Sequence, residues 1–240
     1  MQTYDNYISN HLGNIHKGDK EDFELMYQYY KKNFLKLLPN KMNALILDLG
    51  CGMGHFLYFL KKSGYENYIG VDLSEECINY CLNKNLASKN NLYSSDVTDF
   101  LEKSKKQYST IVMNDLIEHL KKEEIVPTLK LIRKKLNNKG SLIIKVVNSA
   151  NPITGSSSRY LDFTHTTGFT EESLEQVLAV AGFKNIKIYP QIIWVFNPII
   201  NIFGKTLQLI FNNLFRFIFI LYGRKSTSIF TKDIIAVAKK

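Results

Sequence analysis

The stretch Ala44–Phe56, ALILDLGCGMGHF, decides the fold. An apolar run typical of a β-strand meets Asp48, then three glycines alternate with other residues, and an apolar helical pattern follows. This order predicts a strand, a tight turn and a helix. Glycines allow positive φ and close approach of a ligand, and the new helix offers unpaired N–H groups. We therefore expect a nucleotide-like ligand, contacted by Gly50, Cys51, Gly52 and Gly54.

The spacing of the glycines distinguishes two kinds of nucleotide-like ligand. Dinucleotide sites read GxGxxG, whereas this turn reads GxGxG and is preceded by Asp48. A carboxylate at the turn repels a pyrophosphate and suits a ligand that carries an ammonium group. The sequence ILDLGCGMG resembles motif I of the class I S-adenosylmethionine-dependent methyltransferases. The resemblance implies S-adenosylmethionine as cofactor and S-adenosylhomocysteine as product, and disfavours an NAD-dependent oxidoreductase.

Three further strand ends match the same family pattern. A strand over residues 68–71 ends in Asp72, where a carboxylate can accept both ribose hydroxyls, with Leu73 beside it. The next strand ends in Asp96, placed to accept the adenine amino group, and Val97 follows it. A fourth strand, 108–114, ends in Asn114, which the pattern also assigns to the cofactor site.

The alternation of strands and helices predicts an α/β fold with a doubly wound, mostly parallel sheet. The resemblance implies seven strands in a Rossmann-like methyltransferase fold, closed by an antiparallel hairpin from 183–189 and 229–238. Residues 1–40, with a helix over 22–38, are expected to form a helical lid that lines the substrate site. Residues 41–240 are expected to form the methyltransferase domain.

Composition restricts the partners and the compartment. The 240-residue chain carries a formal charge of +9, from lysines scattered in short pairs. No basic stripe interleaved with aromatic residues is present, so we expect no nucleic-acid partner. Three cysteines without disulfide or zinc-site spacing indicate a reducing compartment. The opening residues lack a secretion signal, so a cytoplasmic protein is expected.

The segment 192–223 is strongly apolar but interrupted, so it is not expected to span a membrane. As a helix it places one polar stripe on a single side, formed by Asn201, Lys205, Gln208, Asn212 and Arg216. Three interpretations remain open for its apolar surface. It packs on its own domain, it forms a homodimer, or it contacts the inner face of the membrane peripherally.

Two histidines are candidates for the general base that a hydroxyl acceptor requires. His119 follows the fourth strand, beside the expected methyl group, although it could instead be structural. His165 lies in the polar loop 148–169, with Asp162 three residues earlier to orient it or stabilise its charge. In the same loop, Arg159 and Tyr160 are candidates for binding substrate, because arginine binds phosphate well.

A divalent metal site is a second, less favoured interpretation of this region. Asp115, Glu118 and His119 are spaced to share one helical face, and His165 could join them from the loop. The pattern resembles the ExxEH-plus-distal-His arrangement of metal-assisted O-methyltransferases, with Asp115 in place of the first glutamate.

The methyl acceptor is inferred from a further resemblance. The stretch DFTHTTGFTEESLEQVLAVAGF resembles bacterial methyltransferases associated with surface-polysaccharide biosynthesis, which implies O-methylation of a sugar or a glycan precursor. Within the enzymes, the alternative is a quinone or phenolic precursor. An alternative of another class is a non-catalytic protein that binds a membrane or a partner and keeps the fold only as a scaffold.

Overall fold

The computed structural model describes Gly13, residues 16–224 and residues 227–240. Most of the first half of the predicted lid therefore lies outside the described residues. Helices in the described part are α1 (Lys20–Asn33), α2 (His55–Lys62), α3 (Glu75–Asn83), α4 (Val97–Lys103), α5 (Lys122–Lys135), α6 (Gly155–Tyr160), α7 (Glu171–Val180) and α8 (Pro198–Leu221). The strands are β1 (Ile46–Leu49), β2 (Tyr68–Asp72), β3 (Leu92–Ser94), β4 (Tyr108–Asn114), β5 (Leu136–Val147), β6 (Lys184–Pro190) and β7 (Asp233–Lys239).

The seven strands form one sheet in the order β3-β2-β1-β4-β5-β7-β6. Strands β1 to β5 pair in parallel, and β7 pairs antiparallel with both β5 and β6. The prediction of a doubly wound, mostly parallel sheet closed by an antiparallel hairpin is confirmed. Because parallel strands end at one edge, the turns after β1, β2, β3 and β4 meet there.

Helices cover both faces of the sheet, and successive side chains of β1 point to opposite faces. Leu47 and Leu49 belong to the apolar core beneath α4, α5 and α7, whereas Ile46 belongs to the core beneath α1 and α2. The second core is rich in aromatic rings packed edge-to-face or tilted, and the ring centroids of Tyr30 of α1 and Phe56 of α2 lie 5.1 Å apart. Burial on both faces explains why the strands read as continuous apolar runs.

Several boundaries differ from the sequence prediction. Helix α1 ends at Asn33 rather than at 38, and the turns after it bury Phe34 and Leu38. Strand β5 begins at Leu136, five residues before the predicted start, because Leu136 pairs with Tyr108 ahead of a register shift. Tertiary pairing has extended the strand into a segment whose local sequence indicated a helix end.

Candidate functional site

The turn after β1 has the backbone that its glycines predicted. Gly50, Gly52 and Gly54 have φ of +72°, +49° and +80°, a region that L side chains seldom adopt. A Cβ on Gly54 would lie 2.4 Å from Leu86 Cδ1 and 2.7 Å from Cys81 Sγ. Only glycine fits there, so the close approach of the turn to α3 depends on that residue.

Asp72 fixes this turn from the neighbouring strand. Its Oδ2 accepts the Gly52 N–H at 2.8 Å, and its Oδ1 accepts the Ser74 N–H at 2.9 Å. Burial raises the pKa of Asp72, and these two backbone hydrogen bonds oppose that shift. A carboxylate oxygen can accept more than one hydrogen bond, so the predicted contact with ribose hydroxyls remains compatible with this geometry.

Asp48 and Asn114 present buried polar atoms at the ends of β1 and β4. Asp48 is 1 % exposed, and neither its carboxylate oxygens nor the side-chain atoms of Asn114 have a hydrogen-bond partner among the described residues. Burial, with a smaller contribution from Asp72, raises the pKa of Asp48 well above its ordinary value. Such groups are costly unless a ligand supplies the missing partners. A ligand with an ammonium group fits the Asp48 carboxylate.

The predicted adenine-side residues lie at the next strand ends. Asp72 pairs in register with Ser94, which places Asp96 near the same edge of the sheet. Asp96 is exposed and caps α4, its Oδ1 accepting the Thr98 N–H at 2.7 Å. Val97 is buried, and Leu73 is 51 % exposed. The structure thus brings these residues to one edge and adds a capping role for Asp96 that the motif did not reveal.

The two candidate histidines lie together. The ring centroids of His119 and His165 are 4.6 Å apart, with the rings at 70°. Thr164 Oγ1 donates to Asp162 Oδ1 at 2.7 Å and contacts His119 Nδ1 at 2.8 Å. The Asp162 carboxylate therefore reaches His119 through Thr164, a connection that the predicted orientation of His165 by Asp162 did not include.

The hydrogen bonds define the tautomers of both rings. Because the Thr164 hydroxyl hydrogen goes to Asp162, His119 Nδ1 must donate to Thr164 Oγ1. His165 Nδ1 lies 3.2 Å from the carbonyl oxygen of Arg159, which can only accept. In the neutral form of each ring, Nε2 is then the basic nitrogen.

The loop that carries His165 is fastened at both ends. The fully buried Asn148 donates through Nδ2 to the carbonyl oxygens of Ile229 at 2.8 Å and Thr231 at 3.1 Å. Further along, the N–H groups of Thr166 and Thr167 donate to the carbonyl oxygen of Glu118 at 2.8 Å and 3.1 Å. The loop therefore joins the turn after β4 to the segment before β7.

Arg159 and Tyr160 are the last two residues of α6, the short helix within this loop. An Arg159 NH group donates to the carbonyl oxygen of His165, and the guanidinium carbon lies 5.3 Å from the Tyr160 ring centroid. Tyr160 is 78 % exposed. The predicted phosphate contact of Arg159 is untested, and the observed bond shows that Arg159 also holds the His165 backbone.

The predicted four-residue metal set is not assembled. Asp115 has φ of +49° and the turn over Ile117–His119 is a 3₁₀ helix, so the residues do not share an α-helical face. The Asp115 carboxylate is instead ion-paired with Lys145. Burial alone lowers the pKa of Lys145, but Asp115 and Asp233 outweigh it and hold that pKa well above its usual range.

Glu118, the second predicted ligand, is also not among the ligand-type atoms that lie together. It is 2 % exposed, and its carboxylate oxygens have no hydrogen-bond partner in the described part of the chain. Burial and then the charge of Asp115 raise the pKa of Glu118 well above its ordinary value. The ligand-type atoms that do lie together, all within 4.8 Å, belong to His119, Asp162 and His165.

A second cluster of the same composition was missed by the sequence analysis. Asp22 of α1 contacts His16 Nδ1 through Oδ1 at 3.1 Å and His55 Nε2 through Oδ2 at 3.0 Å. The Gly18 N–H donates to the same Oδ2 at 3.0 Å. His55 directly follows the glycine turn, so this cluster ties α1 to the turn. Residues 33 positions apart give no local sequence signal for such a contact.

Comparisons with known proteins agree with this architecture. A family model described as a methyltransferase domain matches residues 23–188. An uncharacterized protein of Haemophilus influenzae is 28 % identical over 153 residues, which cover 57 % of this chain and 58 % of that protein. The match thus spans less than two thirds of that relative's length.

Two solved structures illustrate the shared fold. An S-adenosylmethionine-dependent methyltransferase from Archaeoglobus fulgidus superposes with a TM-score of 0.68 at 22 % identity, covering 95 % of this chain and 98 % of the other. The plantazolicin methyltransferase BpumL, in complex with S-adenosylhomocysteine, gives a TM-score of 0.61 at 21 % identity, covering 97 % and 89 %. At these identities the likeness establishes the fold.

Proposed function

Because the chain belongs to the methyltransferase-domain family, we propose that it transfers the methyl group of S-adenosylmethionine to a hydroxyl group of a sugar or surface-glycan precursor. A histidine of the His119–His165 pair acts as the general base. The observation that carries the proposal is the position of this pair, on the turn after β4 and the loop after β5, at the edge where the glycine turn lies.

The residues at the strand ends fit the cofactor. The Asp48 carboxylate would hold the ammonium group, Asp72 the ribose hydroxyls, and Asp96 with Val97 the adenine ring. Gly50, Gly52 and Gly54 keep the turn free of side chains where the ligand approaches. When bound, S-adenosylmethionine supplies an electrophilic methyl group on a positively charged sulfur.

The chain's own residues then act on the acceptor. Positioning a hydroxyl in line with the methyl group supplies much of the rate, and removing its proton supplies more. Because both Nδ1 atoms contact neighbours, the basic lone pair of each neutral ring is on Nε2, the nitrogen that would take that proton. The Asp162–Thr164 pair fixes the orientation of His119 and favours its charged form after the transfer.

The acceptor class rests on the resemblance of residues 162–183 to polysaccharide-associated methyltransferases. Arg159 and the exposed Tyr160 ring lie side by side in the same loop. Arg159 suits the phosphate of an activated precursor, and the Tyr160 ring suits its sugar.

Calorimetric titration with S-adenosylhomocysteine tests the cofactor assignment. We expect micromolar binding that falls at least tenfold in Asp72→Ala and is kept in Asp99→Ala, a variant of an exposed acid on α4. NADH serves as the control ligand. Binding of NADH, or the absence of binding to S-adenosylhomocysteine, would refute the cofactor assignment.

Transfer of a labelled methyl group to a panel of acceptors tests the substrate class. The panel contains sugar nucleotides, lipid-linked sugars and phenolic quinone precursors. Label in a sugar, reduced in His165→Asn, supports the proposal, whereas label in the phenolic fraction alone rejects the sugar assignment without affecting the cofactor assignment.

A metal-assisted O-methyltransferase acting on a phenolic precursor is the second candidate. The observation that favours it is the grouping of His119, Asp162 and His165 ligand atoms within 4.8 Å. Two imidazoles and a carboxylate suit a divalent transition metal. Activity that is abolished by EDTA and restored by a divalent transition metal such as Mn²⁺ or Zn²⁺ would favour this candidate over the histidine base.

A further inference from the structure

Helix α8 is attached to the domain by its polar side. Gln208 Nε2 donates to the carbonyl oxygen of Gln191 at 3.2 Å. Asn212 donates to the carbonyl oxygen of Ser228 at 3.2 Å and accepts the Phe230 N–H at 2.9 Å. Asn201 accepts the Val195 N–H at 3.3 Å. Gln208, Asn212 and Asn201 are the three amides among the five residues of the predicted polar stripe. The amides of the stripe therefore face protein, whereas its two cations, Lys205 and Arg216, are exposed.

The opposite side of α8 is apolar and faces outward. None of the 24 residues of the helix is buried. Large apolar side chains along it are 36–77 % exposed, and we call them the outer face: Ile199, Ile200, Ile202, Phe203, Leu207, Leu209, Ile210, Phe211, Leu214, Phe217, Ile220 and Leu221. An ordinary surface helix buries its apolar stripe and exposes its polar one. In α8 this arrangement is inverted, and an apolar patch of this size indicates an interaction surface.

The charges on α8 and on the chain segments that flank it are of one sign. No Asp or Glu occurs between Gln176 and Lys232 in the sequence. Lys205 and Arg216, the two cations of the predicted stripe, are exposed along α8, and Arg224 is exposed just beyond its end. Two copies packed through this face would bring like charges together with no carboxylate on α8 to pair them. An anionic lipid surface complements both the cations and the apolar side chains.

We propose that the outer face of α8 docks on an anionic membrane surface. The apolar side chains enter the boundary between headgroups and acyl chains, and Lys205, Arg216 and Arg224 contact lipid phosphates. The helix would lie in the plane of the membrane, as interfacial amphipathic helices do. Among the described helices, none combines the length and the hydropathy required to cross a bilayer. The proposal does not depend on the identity of the methyl acceptor.

Flotation of the full chain with vesicles tests this proposal. The vesicles are phosphatidylcholine alone and phosphatidylcholine mixed with phosphatidylglycerol. We expect binding to the mixed vesicles, at least tenfold weaker binding to the neutral ones, and a decrease with added salt. Equal affinity for both vesicle types, or no binding to either, would overturn the proposal.

Two variants identify the surface responsible. Phe203→Ser/Ile210→Ser/Phe217→Ser is expected to lose vesicle binding at least tenfold, and Lys205→Gln/Arg216→Gln to lose its preference for anionic vesicles. The matched controls are Val180→Ser, at an exposed apolar residue of α7, and Lys122→Gln/Lys130→Gln on α5, which keep wild-type binding. Each variant is checked for an unchanged melting temperature.

Sedimentation velocity tests whether a second copy of the chain, rather than a membrane, covers the outer face of α8. We expect wild-type and triple-variant proteins to have the same oligomeric state without lipid. A wild-type dimer that dissociates in Phe203→Ser/Ile210→Ser/Phe217→Ser, together with no flotation, would assign the outer face to a second copy and reject the membrane.

Discussion

Two clusters in this molecule each contain two histidines and one aspartate, but they are built differently. In the first, the Asp22 carboxylate contacts His16 and His55 directly and also accepts the Gly18 N–H. In the second, the Thr164 hydroxyl bridges Asp162 and His119. The first cluster lies against the aromatic core, with His55 4.5 Å from Phe23 between ring centroids, and the second lies in a polar loop.

The difference teaches that residue types alone do not mark a catalytic centre. Burial tends to raise the pKa of Asp22, but its hydrogen bonds to the two imidazoles outweigh burial and hold that pKa below its usual range. The charged Asp22 carboxylate thus holds α1 to the glycine turn. The Asp162–Thr164 arrangement contacts the Nδ1 side of His119, so the basic nitrogen of the neutral ring is Nε2. We therefore expect the first cluster to serve stability and the second to serve methyl transfer.

The largest expected effect separates the two clusters by activity. His165→Asn should lower the methyl-transfer rate by roughly 10²–10⁴-fold, the usual contribution of a general base, and leave S-adenosylhomocysteine affinity nearly unchanged. His16→Asn, its counterpart in the first cluster, should lower the rate far less. Single-turnover assays with labelled cofactor measure both. Equal losses in the two variants would remove the distinction between the clusters.

The next effect separates them by stability. Asp22→Ala removes a carboxylate from two imidazoles and a backbone N–H, and we expect a loss of about 3 kcal/mol in the free energy of unfolding. Glu21→Ala, on the same first turn of α1 but exposed, should cost about 0.5 kcal/mol. Urea denaturation at neutral pH measures the difference. A similar small cost in both variants would mean that the first cluster does not hold α1.

A smaller effect tests the link between Asp162 and His119. Thr164→Val removes the bridging hydroxyl, and we expect kcat to fall about tenfold at unchanged KM, because the tautomer of His119 is no longer fixed. Thr164→Ser keeps the hydroxyl and should restore most of the rate. A purely structural role for Thr164 would instead change the melting temperature and KM, and serine would bring no recovery of kcat.

The smallest effect is a pH dependence confined to the first cluster. Burial lowers the pKa of His55 below its ordinary value of 6.5, partly opposed by its hydrogen bond to Asp22. Below that ordinary value the unfolded state binds more protons, so this contribution to stability is complete above pH 6.5 and declines as pH falls. We expect a wild-type loss of about 1 kcal/mol between about pH 7.5 and about pH 5.5 that His55→Asn lacks. Parallel curves for the two proteins would contradict this assignment.

The sheet and its cofactor edge could be predicted from sequence because their signals are local. Asp48, the three glycines and the apolar runs lie within a few residues of one another, and each strand end carries its own polar residue. The fold and the methyltransferase family are confirmed. The sugar acceptor stays a prediction, because it rests on a resemblance of the loop rather than on a contact.

The rest could not be predicted because it depends on distant contacts or on backbone geometry. The His16–Asp22–His55 cluster joins α1 and the segment before it to a turn far along the chain. The α-helical face assumed for the metal set does not form, because Asp115 has positive φ and a 3₁₀ turn follows it. For α8, the period of the polar stripe was visible, but periodicity does not tell which side faces the domain.

The hydrogen bonds of Asn148 have a consequence for how the protein matures during synthesis. Asn148 anchors the histidine loop to Ile229 and Thr231, which leave the ribosome 81 and 83 residues later. Strand β5 likewise pairs on its outer edge with β7, which is synthesised later. The nascent chain can assemble the glycine turn early, but the loop of His165 reaches its final position only after α8 has been made. Under the proposed function, methyl transfer would then begin only after translation has produced the segment that we expect to meet the membrane.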